Sequence, residues 1–263
     1  MTGSGSSAPA RSPMGAGALL DTAFRLYFRG LRQFFPAAVT AFAPATLVNL
    51  IYSARPPRPE PGWLTWPLYG AGAMLTCAAT SWIASERYLG RRVSAVHGLQ
   101  LAVRRLPTLI LFSLAAALVT ILGTALFVLP GILVLGALSI GIPLIMLERE
   151  SSLRVVVVRS LGMTRDRRVA LAGYLGMGIG IALIVVLGAA ITATFAATLA
   201  GIDPINGGGR PAAVVETLLM DLLVQAAVPF TACLLTVLYY DLRVRREAVD
   251  LEASVGGQDD ATN

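Results

Sequence analysis

LPTLILFSLAAALVTILGTALFVLPGILVLGALSIGIPLIML, residues Leu106 to Leu147, carries no charged side chain. It is bounded by Arg105 on one side and Glu148 on the other. A helix needs about 20 mostly apolar residues to cross the hydrocarbon of a bilayer. The stretch is therefore read as two spans, 107–129 and 131–148. Pro130 and Gly131 stand between them and predict a tight turn at Leu129 to Ile132. Such a turn sets the two helices antiparallel.

Four further runs of the same kind follow outward from this pair, at 34–54, 64–85, 169–200 and 213–240. The run at 169–200 exceeds a straight span, so it must tilt or project from the bilayer. The composition agrees. The 263 residues are 56% hydrophobic and 14% charged, with a mean hydropathy of +0.71. A soluble domain is nearer a quarter charged, so a soluble globular class is excluded. The fold expected is all-α: six transmembrane helices in three hairpins over 15–250, a flexible Gly/Ser/Pro tail at 1–14 and a second tail at 251–263. Cys77 and Cys233 both fall in apolar runs, where a thiol acts as a small buried hydrophobe. The start of the chain has no signal-peptide core.

Arginine placement sets the expected orientation. Lysine is absent and all 21 basic residues are arginine, a pattern of GC-rich coding. Only Arg55, Arg58 and Arg210 fall in the connections after the first, third and fifth spans. The rest precede the first span, follow the last, or lie in the two longer connections. Both termini and those connections are thus expected in the cytoplasm of a bacterium, with the protein in its inner membrane. Tyr239 and Tyr240 close the last apolar run and read as rings at headgroup level. Asp241 and Arg245 follow at helical spacing, as do Arg243 with Glu247 and Arg246 with Asp250.

The cytoplasmic segments have patterns of their own. Asp21, Arg25, Arg29 and Arg32 share one helical face, opposite Leu20, Phe24, Tyr27, Phe28 and Leu31. This predicts an amphipathic helix lying in the inner interface. In a second segment Val96, Leu99, Val103 and Leu106 form a stripe opposite His97, Gln100 and Arg104, with Ser94 placed to cap. A third, from Ser151 to Arg168, contains four consecutive valines that favour strand, but it is read as helix because a lone strand has no partner. Each segment precedes a pair of spans, which suggests three repeats of one unit. Gly176 and Gly180 have GxxxG spacing and predict close packing. Pro44, Pro143 and Pro229 predict kinks.

Four segments together, LLDTAFRLYFRGLRQFF (19–35), ERYLGRRVSAVHGLQLAVRRLP (86–107), 129–166 with its Pro-Gly turn and LERESS exit, and TVLYYDLRVRREAVDLE (236–252), carry a resemblance. The chain resembles the bacterial membrane-domain family named after glycerophosphoryl diester phosphodiesterases. The resemblance implies a six-helix inner-membrane protein. Family members that hydrolyse glycerophosphodiesters carry a soluble catalytic barrel as well. The sequence holds no such barrel, and one histidine does not supply its acid–base set.

The candidate sites are of three kinds. Arg25, Arg29, Arg32, Arg91, Arg92, Arg104, Arg105, Arg165, Arg167 and Arg168 are candidate contacts for anionic lipid headgroups. Each charge near the surface is worth about 1 kcal/mol. Asp221 and Gln225, one turn apart in the last span, are a candidate intramembrane polar site, since ionisable groups there mark a pathway or a buried pair. The competing reading leaves Glu216 to Asp221 in the interface. Glu148 and Arg159 are expected to pair at the cytoplasmic boundary. His97 is expected on the surface. No metal-ligand spacing, phosphate-cradling loop or nucleophile elbow is present, so no cofactor is implied, and nucleic-acid binding has no support. The partners expected are membrane lipids and other membrane proteins. The function expected is a non-enzymatic envelope accessory or subunit of a membrane assembly. A transporter or lipid-handling protein is the alternative. A lipid-headgroup enzyme using Glu148, Asp166, His97 and Asp241 is the third reading.

Overall fold

The computed structural model describes residues 14–53, 62–91, 93–148, 150, 152–199 and 209–259. Outside them lie the tail before Met14, Arg55, Arg58, Arg92, Arg149 and most of the glycine-rich INGGGRP connection, together with the side chain of Arg210. Nine α-helices are described: α1 Ala16–Ser53, α2 Gly62–Tyr88, α3 Ala95–Arg104, α4 Leu106–Leu126, α5 Val128–Leu138, α6 Gly141–Leu147, α7 Leu153–Thr164, α8 Arg168–Leu199 and α9 Gly209–Asp259. A short 3-10 turn, Arg165–Arg167, joins α7 to α8. No strand occurs among the described residues, and the four valines, Val155 to Val158, lie in α7.

Five stretches are long and apolar enough to cross a membrane: Ala16–Ser53, Leu106–Leu126, Leu129–Leu147, Leu153–Thr192 and Thr217–Arg246. α2 is long enough, at 27 residues or about 40 Å, but it is less apolar than these five. Its position explains why. α2 packs against α1, α3, α6 and α9. It buries Thr65, Thr76, Thr80, Ser81 and Ser85 beside Ala78, Ala79, Ile83 and Ala84. A helix surrounded by other helices does not need an apolar outer surface.

The core gathers where α1, α2 and α9 meet. α1 buries Leu19, Ala23, Leu26, Gly30, Phe34, Ala38, Ala41 and Ala45, three or four residues apart on one face. From α9 come Phe230, Cys233, Leu234, Val237, Leu238 and Tyr239, and from α6 Leu144, Ile145 and Met146. α4 and α8 lie outside. Leu114, Leu118, Ile121 and Leu122 on α4 and Leu183, Ile184, Leu187 and Ile191 on α8 are exposed. Hydrocarbon accepts such surfaces without penalty, because lipid tails are as apolar as leucine.

Several local expectations differ from the structure. α1 is one helix of 38 residues, so the segment carrying Arg25, Arg29 and Arg32 runs on collinearly into the first span. At about 57 Å it is nearly twice the hydrocarbon thickness of about 30 Å. Its buried face mixes Gly30 and five alanines with Leu19, Leu26, Phe34 and Phe42, whereas Phe28 of the expected apolar face is exposed. The expected Pro-Gly turn moves to Phe127, where the backbone is extended (φ −159°, ψ 147°). Pro130 then falls in the first turn of α5, where a missing N–H costs nothing. Gly131 is required for a different reason: a Cβ there would lie 2.8 Å from the backbone nitrogen of Thr124 on α4. The fourth span breaks at Ser139–Ile140. The cause is Pro143, whose ring crowds the carbonyl four residues earlier and which has no N–H for it. α1 and α9 continue as helix through Pro44 and Pro229. Ser94 sits at the N-cap of α3 without a side-chain capping bond. α9 runs to Asp259, through 251–259, which were expected as tail.

The GxxxG expectation is corrected as well. Gly176 and Gly180 face open space, while Gly178 meets Leu234 of α9. The closest helix approach lies at Gly136 of α5, where a Cβ would stand 2.5 Å from the Arg168 carbonyl of α8. Gly136→Ala should therefore destabilise the fold by about 1–3 kcal/mol, since backbone cannot yield as a side chain can. Gly176→Ala should be neutral or stabilising by up to about 1 kcal/mol. Thermal unfolding of both variants in one detergent checks the contrast, and equal losses would contradict it.

Candidate functional site

Asp221 and Gln225 lie one turn apart on the inner face of α9, 4% and 2% exposed. Three helices build their surroundings. From α2, Tyr69 donates its hydroxyl to Asp221 Oδ1. From α1, Asn49 Nδ2 donates to Tyr69 Oη and stands 3.4 Å from Asp221 Oδ1. Gln225 Nε2 donates to Thr46 Oγ1 at 3.0 Å, one turn before Asn49 on α1. The opposite oxygens of the pair, Asp221 Oδ2 and Gln225 Oε1, have no hydrogen-bond partner. Buried polar atoms are nearly always satisfied; here two unpartnered acceptors lie one turn apart, and the buried hydroxyls of Thr76, Thr80 and Ser81 on α2 are unpartnered as well.

A cavity of about 720 Å3 opens beside Asp221, walled by Phe42, Trp66, Tyr69, Ala73, Met220 and Val224 with Asn49, Thr65 and Thr217. Trp63 and Trp66, at the start of α2, are 79% and 78% exposed. Sequence reading had singled out Asp221 and Gln225. It missed Tyr69, Thr46 and the aromatic wall, because their convergence depends on how three distant helices pack. The one local signal was the density of tryptophan and tyrosine between Trp63 and Tyr69.

A second cavity, about 850 Å3, lies where α7 faces the later turns of α9. Arg154 and Arg159 line it from α7, Arg243 and Arg246 from α9, together with Glu148, Val155, Val158 and Met163. Arg159 Nη1 stands 2.5 Å from Glu148 Oε2, and Tyr239 donates its hydroxyl to Glu148 Oε1 at 2.8 Å. One carboxyl thus faces four arginines, and the cavity is strongly basic with an apolar floor. A third cavity, about 510 Å3, is a mostly apolar groove between α1 and α3. Pro36, Ala37, Thr40, Val96, Leu99 and Val103 line it, with Arg104 at its edge.

The other arginines singled out from the sequence are dispersed. Arg25 pairs with Asp21 at 2.7 Å on the exposed side of α1, and Arg29 and Arg32 are exposed. Arg91 lies 3.4 Å from Glu86. Arg105 is half-buried and engaged, and Arg92 lies outside the described residues. Arg165 and Arg167 are exposed in the 3-10 turn, and Arg168 reaches the Leu161 carbonyl at 3.4 Å. Arg154, Arg243 and Arg246 were not among the expected lipid contacts, although the first faces the last two across a cavity.

Tyr239 and Tyr240 are not a lipid-facing belt. Tyr239 is buried against Glu148. Tyr240 shares a 2.6 Å hydrogen bond with Ser85 and stacks on Tyr88. Next to them, Asp241 Oδ1 accepts from the Met14 backbone amide at 2.8 Å. Arg245 bridges Asp241 at 2.7 Å and the Met14 carbonyl at 2.7 Å. His97 is exposed, with its ring 5.0 Å from that of Trp82. Among the described residues no group of three His, Cys, Asp or Glu side chains is placed to hold a metal ion.

Comparison of the chain with protein-family models, with curated proteins and with solved structures finds no match in any of the three. The geometry alone therefore carries the functional argument.

The Glu148 cluster gives a direct test of its own energetics. Tyr239→Phe removes the donor that Glu148 meets inside the protein, and should cost about 0.5–1.5 kcal/mol. Arg159 is half-exposed and other arginines line the same cavity, so Arg159→Ala should cost no more than about 1 kcal/mol. Thermal melts would show the order, and a larger loss for Arg159→Ala would reverse the assignment.

Proposed function

We propose that the chain is a multi-pass protein of the bacterial inner membrane, with six spans in three hairpins and both termini cytoplasmic. It works without catalysis of its own, as an envelope accessory or subunit of a membrane assembly, and it holds anionic lipid headgroups at its cytoplasmic face. The observation that carries the lipid reading is the cavity between α7 and α9. Four arginines converge there over a floor of valine and methionine, which suits a phosphate group above acyl chains. The groove edged by Arg104 offers a second place of the same character. The resemblance to the phosphodiesterase membrane-domain family fits this placement.

The orientation rests on the arginine bias, and the sixth span on α2. If α2 crosses, the arginine-rich connections alternate correctly with the arginine-poor ones. The enzyme reading is disfavoured because the carboxyls it needs are engaged elsewhere: Glu148 with Tyr239 and Arg159, Asp241 with Met14 and Arg245. The buried polar atoms around Asp221 favour a second reading, a transporter or lipid-handling protein. That reading fails if Asp221→Asn with Gln225→Ala leaves growth and flux unchanged.

Topology is checked by single cysteines in a chain whose Cys77 and Cys233 are replaced by serine. Glu60→Cys and Asn206→Cys should react with an impermeant maleimide in intact cells. Ser4→Cys, Val93→Cys and Ser254→Cys should react only after the membrane is opened. Labelling of Val93→Cys from outside would remove α2 as a span.

The lipid reading is checked by native mass spectrometry of protein released from its own membranes. Bound phosphatidylglycerol or a related anionic lipid is expected. Arg154→Ala with Arg246→Ala should lower its retention roughly 30-fold, from about 1 kcal/mol per arginine. Unchanged retention, or a neutral lipid in its place, would refute the site.

A further inference from the structure

We propose that the cavity beside Asp221 is a binding site for a primary ammonium group. It belongs to α1, α2 and α9 and shares no residue with the basic cavity, so the two stand or fall separately. Its volume, about 720 Å3, falls within the range of about 300–1,000 Å3 usual for small-ligand sites.

The fold treats the two oxygens of Asp221 differently. Oδ1 accepts from Tyr69, with Asn49 behind it. Oδ2 has no hydrogen-bond partner, although the side chain is 4% exposed. One turn deeper, Gln225 Oε1 is a second buried acceptor without a donor. Among the described residues no arginine or histidine forms an ion pair with Asp221. What the site lacks is therefore a donor, and its low-dielectric setting strengthens the attraction of a carboxyl oxygen for a positively charged one.

The walls select the kind of donor. Phe42, Trp66 and Tyr69 line the cavity, and the rings of Phe42 and Tyr69 lie 5.9 Å apart. An ammonium within about 6 Å of a ring centroid is attracted by its electron-rich face. A primary ammonium satisfies both requirements, with N–H toward the Asp221 carboxyl and charge toward the rings, once the side chain turns to open Oδ2, which is closed to water. A trimethylated nitrogen meets only the second. The group could be presented by an aminophospholipid headgroup or by a free amine in water.

The test uses the full chain in nanodiscs of phosphatidylglycerol mixed with either phosphatidylethanolamine or phosphatidylcholine, read by native mass spectrometry. In parallel, thermal midpoints are measured with free ethanolamine or free choline. If the lipid is the source, phosphatidylethanolamine is retained over phosphatidylcholine by about tenfold or more. If the source is soluble, ethanolamine raises the midpoint and choline does so less. In either case Asp221→Asn and Trp66→Ala each remove the preference. Trp66 is 78% exposed, so its variant keeps the test open should Asp221→Asn fail to fold. The absence of both preferences would overturn the proposal and leave a cavity holding water only. A preference that survives Trp66→Ala, and survives Asp221→Asn where that variant folds, would overturn it equally.

Discussion

Hydrocarbon offers no hydrogen bonds, and the rest of this structure follows from that constraint. Backbone groups must be satisfied within each segment, which leaves helix as the spanning form. Polar side chains gain by finding partners inside the bundle. Several on α1, α2 and α9 do so with one another, whereas the buried hydroxyls of Thr76, Thr80 and Ser81 on α2 have no hydrogen-bond partner. Tyr27 donates to the Ala226 carbonyl at 2.8 Å, in the turn before Pro229, where the proline interrupts the backbone ladder. Thr46 meets Gln225, Asn49 and Tyr69 meet Asp221, and Ser85 meets Tyr240. The first, second and last long helices are thereby held as one inner layer. α4 and α8, which need no such partners, are left with exposed apolar faces.

The two main cavities are opposite in kind. Beside Asp221 there are acceptors without donors among aromatic rings. Between α7 and α9, among the described residues, four arginines and one carboxyl line the cavity. Each lacks what the other has in surplus. No hydrogen bond or ion pair joins them, and they lie toward opposite ends of α9, at residues 217–224 and 243–246. A molecule carrying both an ammonium and a phosphate would find complementary chemistry at either place, through different atoms.

Much of the architecture was legible from the sequence, because hydrophobic run length is a local property. The apolar run from Leu106 to Leu147 contains α4, α5 and α6, and the serine- and threonine-bearing run from Gly62 contains α2. What was not legible depends on neighbours. The buried face of α1 runs from Leu19 through Ala23, Leu26 and Gly30 to Phe34 and Ala45, whereas the periodicity of Phe24, Tyr27 and Phe28 pointed to the adjacent face. Gly176 and Gly180 fit a packing motif, yet Gly178 between them meets α9. The Pro130–Gly131 pair signals a turn in water-soluble proteins, but proline is equally at home in the first turn of a helix. At the candidate site, Asp221 and Gln225 could be found because polar groups in an apolar run are conspicuous. Tyr69 and Thr46 could not, since tyrosine and threonine are unremarkable in such runs.

The Met14 amide, held by Asp241 and Arg245, has a consequence in time. The two sides of that contact are 227 residues apart in the chain. At about 5–20 residues per second, roughly ten to forty seconds pass between synthesis of α1 and arrival of its partner. Throughout that interval the stripe from Leu19 to Ala45 has no α9 to cover it, Asn49 lacks its acceptor on Asp221, and Thr46 lacks its donor on Gln225. The earliest helix must therefore wait within the bilayer, or beside the insertion machinery, for the latest. The α1–α9 part of the bundle closes only when its last helix arrives.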